Sequence, residues 1–180
     1  MEYNSGTMKL GWLALALVLY TALVIYRVMP RLPERIPTHY NWAGHPTAWG
    51  SPDVLWTMLI AQVAGTALIL TVPAIGRRAP QFVNLGTRRL SDFPPAARER
   101  IMPLLGDLCG WLAVLYCFLF SLLIRDLIRA GFDPRQSPGF WVVWAFLAAT
   151  AAVVIYYLRQ FNRIARQVAA DEARRSGARR

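Results

Sequence analysis

The sequence is poor in the side chains that enzymes and metal proteins use most. Its 180 residues include two cysteines, two histidines and ten acidic residues. Cys109 and Cys117 lie eight residues apart in one apolar stretch, which on a helix separates them by about 12 Å along the axis. That is too far for a disulfide. We therefore expect both to pack as small apolar groups, and they indicate no redox compartment.

Familiar catalytic motifs are also missing. The sequence has no Gly-x-Ser-x-Gly, no His-Glu-x-x-His and no phosphate-binding glycine loop. Asp107 is the one acidic residue inside the predicted spans. We interpret it as a helix-start carboxylate, stabilised by the helix dipole and able to pair with Arg100, rather than as a proton relay. The prediction is a non-enzymatic protein without a cofactor.

Long apolar runs, in contrast, are plentiful. Hydrophobic residues make up 56% of the chain, and they are concentrated in blocks of about 20 residues, the length that crosses a bilayer. Polar interruptions such as Gln62 and Thr66 can be satisfied by backbone or by a neighbouring helix. The predicted fold class is an all-α membrane protein, a single domain over residues 1–180. Its four transmembrane helices are predicted at 10–29, 54–75, 104–124 and 138–158, followed by a helical extension and basic tail at 159–180.

The charge is unbalanced towards basic residues. Twenty basic and ten acidic side chains give a formal net charge of +10, and 19 of the 20 basic residues are arginine. Basic residues accumulate on the cytoplasmic side of multi-pass proteins, so we interpret the excess as a topology signal and expect no nucleic-acid partner. Fourteen basic residues fall on the side of the termini and six on the other. We therefore expect a multi-pass membrane protein with both termini cytoplasmic.

Arginines cluster in the connector between the second and third spans. One interpretation makes them topology determinants and contacts for anionic lipids. The other makes them a docking surface for a cytoplasmic partner. The candidate docking residues are Arg77, Arg78, Arg88 and Arg89.

The segment between the first two spans, residues 30–53, differs from an ordinary connector. Four prolines stiffen its backbone, and Gly44 and Gly50 allow positive φ. Ile36, Tyr40 and two tryptophans give it an apolar surface. We predict that this segment, the cap loop, is ordered and lies at the extracytoplasmic bilayer surface. Its prolines are Pro33, Pro37, Pro46 and Pro52, and its tryptophans are Trp42 and Trp49.

The cap loop also carries a recognisable pattern. Leu32-Pro-x-x-Ile-Pro-x-His-Tyr-Asn, followed by Gly44 and Pro46, resembles the signature of the bacterial membrane-protein family called domain of unknown function 1648. Thr47 stands where the family usually has Asp, and Pro52 where it often has Lys. The best-understood relative is an immunity protein against a secreted sporulation-delaying peptide toxin, thought to hold a transcriptional repressor at the membrane. The resemblance thus implies immunity or sensing, with an extracellular amphipathic peptide and a cytoplasmic regulator as partners.

Within the cap loop, aromatic side chains are expected to supply contact area for such a peptide, and polar side chains to orient it. Asn41 is expected to turn the chain through its side-chain amide. The candidate ligand-binding or cap-organising residues are Arg35, Pro37, His39, Tyr40, Asn41, Trp42, Gly44 and Trp49.

Two alternatives stay open. His39 and His45, completed by Glu34 or Asp53, could form a metal site in a small transporter or metal-dependent membrane enzyme, although a spacing of six matches no short metal motif. Alternatively, the chain is an oligomer or accessory subunit, because small-residue pairs allow close approach of another helix. These pairs are Ala61/Gly65 and Gly106/Gly110.

Overall fold

The protein consists mainly of four long helices. The computed structural model describes residues 5–41, 43–85, 89–133, 135, 139 and 141–177. Each of the four helices contains a stretch long and apolar enough to cross a membrane, which confirms the predicted fold class. All four reach beyond the predicted spans. They are α1 (Ser5–Val28), α2 (Val54–Arg78), α3 (Pro95–Phe132) and α4 (Trp141–Gly177).

Helix α3 is the centre of the bundle, since α1, α2 and α4 each pack against it. In its most apolar stretch 33% of the residues are buried, compared with 11% in α4. Its 38 residues span about 57 Å, nearly twice the hydrocarbon thickness. Helix α3 therefore carries structure beyond the membrane.

The small-residue pairs are used within the chain. A Cβ placed on Gly106 would lie 3.0 Å from the hydroxyl oxygen of Thr7, and one on Gly110 would lie 2.9 Å from Leu10, so α1 occupies this face of α3. Gly65 leaves room for the ring of Tyr116, whose hydroxyl donates to the Ala61 carbonyl at 3.0 Å. These pairs thus position α1 and α2 on α3, and they give the predicted oligomer no support.

Helix α2 passes through Pro73 and Gly76, residue types that commonly end helices, and continues to Arg78, beyond the predicted span 54–75. A proline inside a helix forfeits one backbone hydrogen bond, a loss that packing can offset. Gly76 is buried, and a Cβ on it would lie 3.3 Å from both Leu105 and Leu90. Here glycine allows close packing rather than ending the helix.

Asp107 lies in a different environment from the predicted one, and Asp53 makes a local contact at the start of α2. Asp107 is more than three turns inside α3, beyond the reach of the helix dipole at the first turn. It accepts a hydrogen bond from the Thr7 hydroxyl at 2.8 Å and so ties α1 to α3. Asp53 precedes α2 but makes no side-chain cap. Its carboxylate instead accepts from the Ser51 hydroxyl at 2.8 Å.

The cap loop departs from the all-α prediction. Strands β1 (Ile36–Tyr40) and β2 (Pro46–Gly50) pair antiparallel, with irregular register near His39. Two-stranded ladders tolerate proline at an edge or at the first residue of a strand, and Pro46 is the first residue of β2. We call residues 36–50 the hairpin.

Buried apolar clusters lie at both ends of α3. The hairpin-end cluster joins the hairpin to the bundle, and the connector-end cluster joins the α2–α3 connector to the extension of α4. The hairpin-end cluster contains Ile25, Ile36, Leu55, Leu59, Ile124 and Ile128. The connector-end cluster contains Val83, Leu85, Leu90, Phe93, Ala97, Ile101, Leu105, Cys109, Tyr157, Phe161 and Val168.

Candidate functional site

The turn of the hairpin is built by one asparagine and one glycine. The Asn41 side-chain oxygen accepts hydrogen bonds from the backbone N–H groups of Ala43 at 3.0 Å and His45 at 2.9 Å. The Asn41 backbone also bonds to Gly44 and His45. Gly44 has φ 80°, a left-handed conformation that favours glycine. These two signature residues therefore determine the path of the chain between the strands.

The base of the hairpin is seated on the end of α3. Ile36 is fully buried in the hairpin-end cluster, and Pro37 beside it is also buried. A Cβ added to Gly131 would lie 2.9 Å from the Ile36 side chain and 3.0 Å from Leu32. Glycine at 131 thus lets β1 approach the last turn of α3 closely.

The outer surface of the hairpin presents polar and aromatic side chains. Arg35 and His39 are exposed, and Trp49 exposes 47% of its surface. His39 Nδ1 lies 3.3 Å from the Thr38 hydroxyl. Trp42, the remaining aromatic candidate, is outside the described residues.

Tyr40 carries an unusual hydroxyl. The side chain is partly buried, and its hydroxyl oxygen is buried with no hydrogen-bond partner among the described residues. Burial raises the pKa of Tyr40, and the nearby Asp126 carboxylate raises it further. The hydroxyl therefore keeps its proton at neutral pH and is a donor at the junction of the hairpin with α3.

Asp126 brings charge to this junction. Its side chain is 15% exposed, and an oxygen of its carboxylate lies 3.7 Å from the guanidinium of Arg125. Neither residue belongs to the signature, and because about 85 positions separate them from it, the sequence does not show that Asp126 acts on Tyr40. Only the packing of β1 on α3 places this carboxylate near Tyr40.

A buried polar cluster joins α1, α2 and α3 inside the bundle. The hydroxyls of Thr21 and Ser121 lie 2.7 Å apart, and the Gln62 amide nitrogen donates to the Cys117 carbonyl at 3.2 Å. The Thr66 hydroxyl donates to the Gln62 carbonyl at 2.6 Å. The side-chain oxygen of Gln62, buried with the rest of that residue, has no partner among the described residues. The sequence shows Gln62 and Thr66 as polar residues within the second span. It does not show that Thr21 and Ser121 belong to the same cluster.

The geometry adds no support for a metal site at His39 and His45. Both His39 and His45 are exposed. Across the described ranges, no three His, Cys, Asp or Glu side chains lie close enough together to hold a metal ion.

The connector arginines lie at the other end of α3. Arg77, Arg78 and Arg89 are exposed, and the backbone N–H of Arg89 donates to the Asp92 carboxylate at 2.9 Å. Arg88 is outside the described residues. The three described arginines thus share one end of the bundle, opposite the hairpin.

Four apolar helices and a hairpin packed on the central one define a multi-pass membrane protein. Residues 15–63 match the family model described as "Domain of unknown function (DUF1648)", which confirms the resemblance found in the cap loop. An uncharacterized protein from Archaeoglobus fulgidus is 32% identical over 88 residues, covering 47% of this chain and 46% of the relative. The match therefore spans about half the length of that curated relative. No solved structure matches the chain significantly.

Proposed function

We propose that this protein is a non-enzymatic immunity or sensing protein of the bacterial inner membrane, and that the hairpin contacts an extracellular amphipathic peptide. The observation that carries the proposal is the junction of the hairpin with α3. There the Tyr40 hydroxyl, which has no hydrogen-bond partner within the described part of the chain, lies near the Asp126 carboxylate, and Trp49 is exposed on the same hairpin. Resemblance to a family with an immunity relative supplies the class of ligand.

The chemistry of the hairpin suits an amphipathic peptide. An exposed tryptophan offers a large apolar contact with few rotatable bonds. Once peptide binding uncovers it, the protonated Tyr40 hydroxyl can donate to a peptide carbonyl, and the exclusion of water strengthens that bond. Asp126 and Arg35 supply charges of opposite sign, which fix orientation more than they add affinity.

The second proposed partner is a cytoplasmic regulator that docks at the connector end of the bundle. Both termini and the α2–α3 connector lie inside in this orientation, where Arg77, Arg78 and Arg89 form an exposed basic surface. Such a surface would attract an acidic partner by electrostatic steering. Helix α3 connects this surface to the hairpin end.

The test is growth of a toxin-sensitive bacterium that produces the protein and is exposed to the sporulation-delaying peptide toxin. Tyr40→Phe removes the hydroxyl and with it one hydrogen bond to the peptide, worth about 1 kcal/mol. We therefore expect the highest toxin concentration at which the cells still grow to fall roughly fivefold. His39→Ala and Trp49→Ala are expected to reduce protection as well.

The matched control is Tyr26→Phe. Tyr26 lies near the same end of the bundle but exposes 72% of its surface, so its side chain points away from the packed bundle and the loss of its hydroxyl should leave protection unchanged. Membrane-fraction amounts of each variant establish equal production. Full protection by all three hairpin variants would remove the hairpin from the mechanism.

A further inference from the structure

A small cleft opens where α2 ends and α3 begins, at the end of the bundle opposite the hairpin. Its volume is about 260 Å³. The apolar part of its wall comes from Leu90, Pro95 and Met102, and the charged part from Arg77, Arg98 and Glu99.

Arg98 provides the clearest sign of a ligand. Its side chain is partly buried, and its Nε–H is fully buried with no acceptor among the described residues. A buried donor without an acceptor is unfavourable, and more so when it is charged. Because this Nε is covered, a rotation of the side chain must turn its N–H to the cleft, where an anionic oxygen would supply the missing acceptor. The fork of a guanidinium matches two oxygens of a phosphate.

The charges of the wall favour an anion. Arg77 comes from the last turn of α2 and Arg98 from the first turns of α3. Glu99 is the single carboxylate among the lining residues, so the wall carries one net positive charge. The beginning of α3 adds the positive end of its helix dipole. Two guanidiniums from different helices can therefore bracket one phosphate.

The position of the cleft specifies the source of that phosphate. Helix α2 is apolar along its membrane-crossing length and ends at Arg78, so the cleft lies at the level where a bilayer has its headgroups. Its apolar wall suits the glycerol and first acyl carbons of a lipid. We propose that the cleft binds an anionic phospholipid, with its phosphate held by Arg98 and Arg77.

The experiment measures binding of phosphatidylglycerol to the purified full-length protein in nanodiscs, in competition with phosphatidylcholine. Arg98→Gln removes the guanidinium and is expected to weaken the preference for phosphatidylglycerol about tenfold. Arg98→Lys keeps the charge but loses the Nε–H, and is expected to recover only part of the preference. Helical content by circular dichroism establishes that both variants are folded.

Arg100→Gln is the matched control. Arg100 is two residues further along α3, exposed and absent from the wall of the cleft, so its loss should leave the preference unchanged. Equal weakening by Arg98→Gln and Arg100→Gln would show a diffuse basic surface and overturn the proposal. Inorganic phosphate is the second arm: if millimolar phosphate displaced the lipid completely, the cleft would be a site for a soluble phosphate and the lipid proposal would fail.

Discussion

At the residue scale, the contacts show which signature residues hold the hairpin on α3 and which shape its turn. Ile36 and Pro37 are buried, whereas Asn41 and Gly44 shape the turn. His39, exposed between them, has no packing role that the structure reveals. The signature thus divides into residues that seat the hairpin, residues that turn it and residues left at the surface.

Gly131 gives the first prediction at this scale. Gly131→Val inserts methyl groups where Ile36 and Leu32 already lie within 3.0 Å, and overpacking of this kind costs about 1–3 kcal/mol. We expect the hairpin to open roughly tenfold more often and trypsin to cleave after Arg35 correspondingly faster. Cleavage is followed by mass spectrometry on purified protein.

Gly11→Val is the control for that substitution, because a Cβ at Gly11 meets no other atom within 4 Å. It introduces the same side chain into a helix of the same bundle without pressing on a neighbour. Identical cleavage rates in both variants would show that Gly131 does not determine the seating of the hairpin.

At the scale of elements, hydroxyl and amide side chains join the three helices that form the core of the bundle. Thr21 of α1, Gln62 of α2 and Ser121 of α3 form one hydrogen-bonded group. In a membrane such bonds fix the rotation and depth of a helix, since lipid offers no alternative partner. The side-chain oxygen of Gln62 has no hydrogen-bond donor in the part of the chain that the structure describes, and its energetic effect can be tested.

Gln62→Leu is expected to change the free energy of unfolding by less than about 1 kcal/mol. The change deletes a buried oxygen that has no partner among the described residues, a gain of about 1–3 kcal/mol, and gives up the two hydrogen bonds of the amide nitrogen. Those bonds are worth about 0.5–1.5 kcal/mol each, so the two effects nearly cancel. The Cys117 carbonyl keeps the hydrogen bond from Ser121. The measurement is the thermal unfolding midpoint in detergent.

Thr66→Val serves as the comparison for Gln62→Leu. The Thr66 hydroxyl is fully bonded, to the Gln62 carbonyl and near the Cys117 sulfur, so its removal should lower the midpoint. A lower midpoint for Gln62→Leu than for Thr66→Val would contradict our account of the unsatisfied oxygen.

For the whole molecule, α3 is the organising feature. It holds the hairpin at one end and the folded connector at the other, and it is long enough to reach past the bilayer on both sides. The basic residues are divided unequally between these ends, 14 against six, and the larger number is expected in the cytoplasm.

Orientation can be tested with single cysteines. Thr47→Cys places a thiol on the exposed hairpin and Arg100→Cys places one at the connector end. In intact cells a membrane-impermeant maleimide should label the first variant, and should label the second only after permeabilisation. The unmodified protein is the control, because Cys109 and Cys117 are buried. If only Arg100→Cys were labelled in intact cells, the orientation in the membrane would be the opposite of the proposed one.

The sequence by itself determined that four helices form and that they belong in a membrane. Apolar runs of spanning length leave the backbone only one way to satisfy its hydrogen bonds in lipid, so local composition is sufficient. Local composition also pointed to an unusual segment between the first two helices.

Only the tertiary structure decided how these elements are used. Gly76 looked like a helix end and proved to be a packing position, because Leu105 and Leu90 reach it from elsewhere in the chain. Asp107 looked like a helix-start carboxylate and proved to anchor Thr7. The electrostatic effect of Asp126 on Tyr40 likewise depends on how the hairpin packs on α3. Such contacts join residues tens of positions apart, and no local pattern records them.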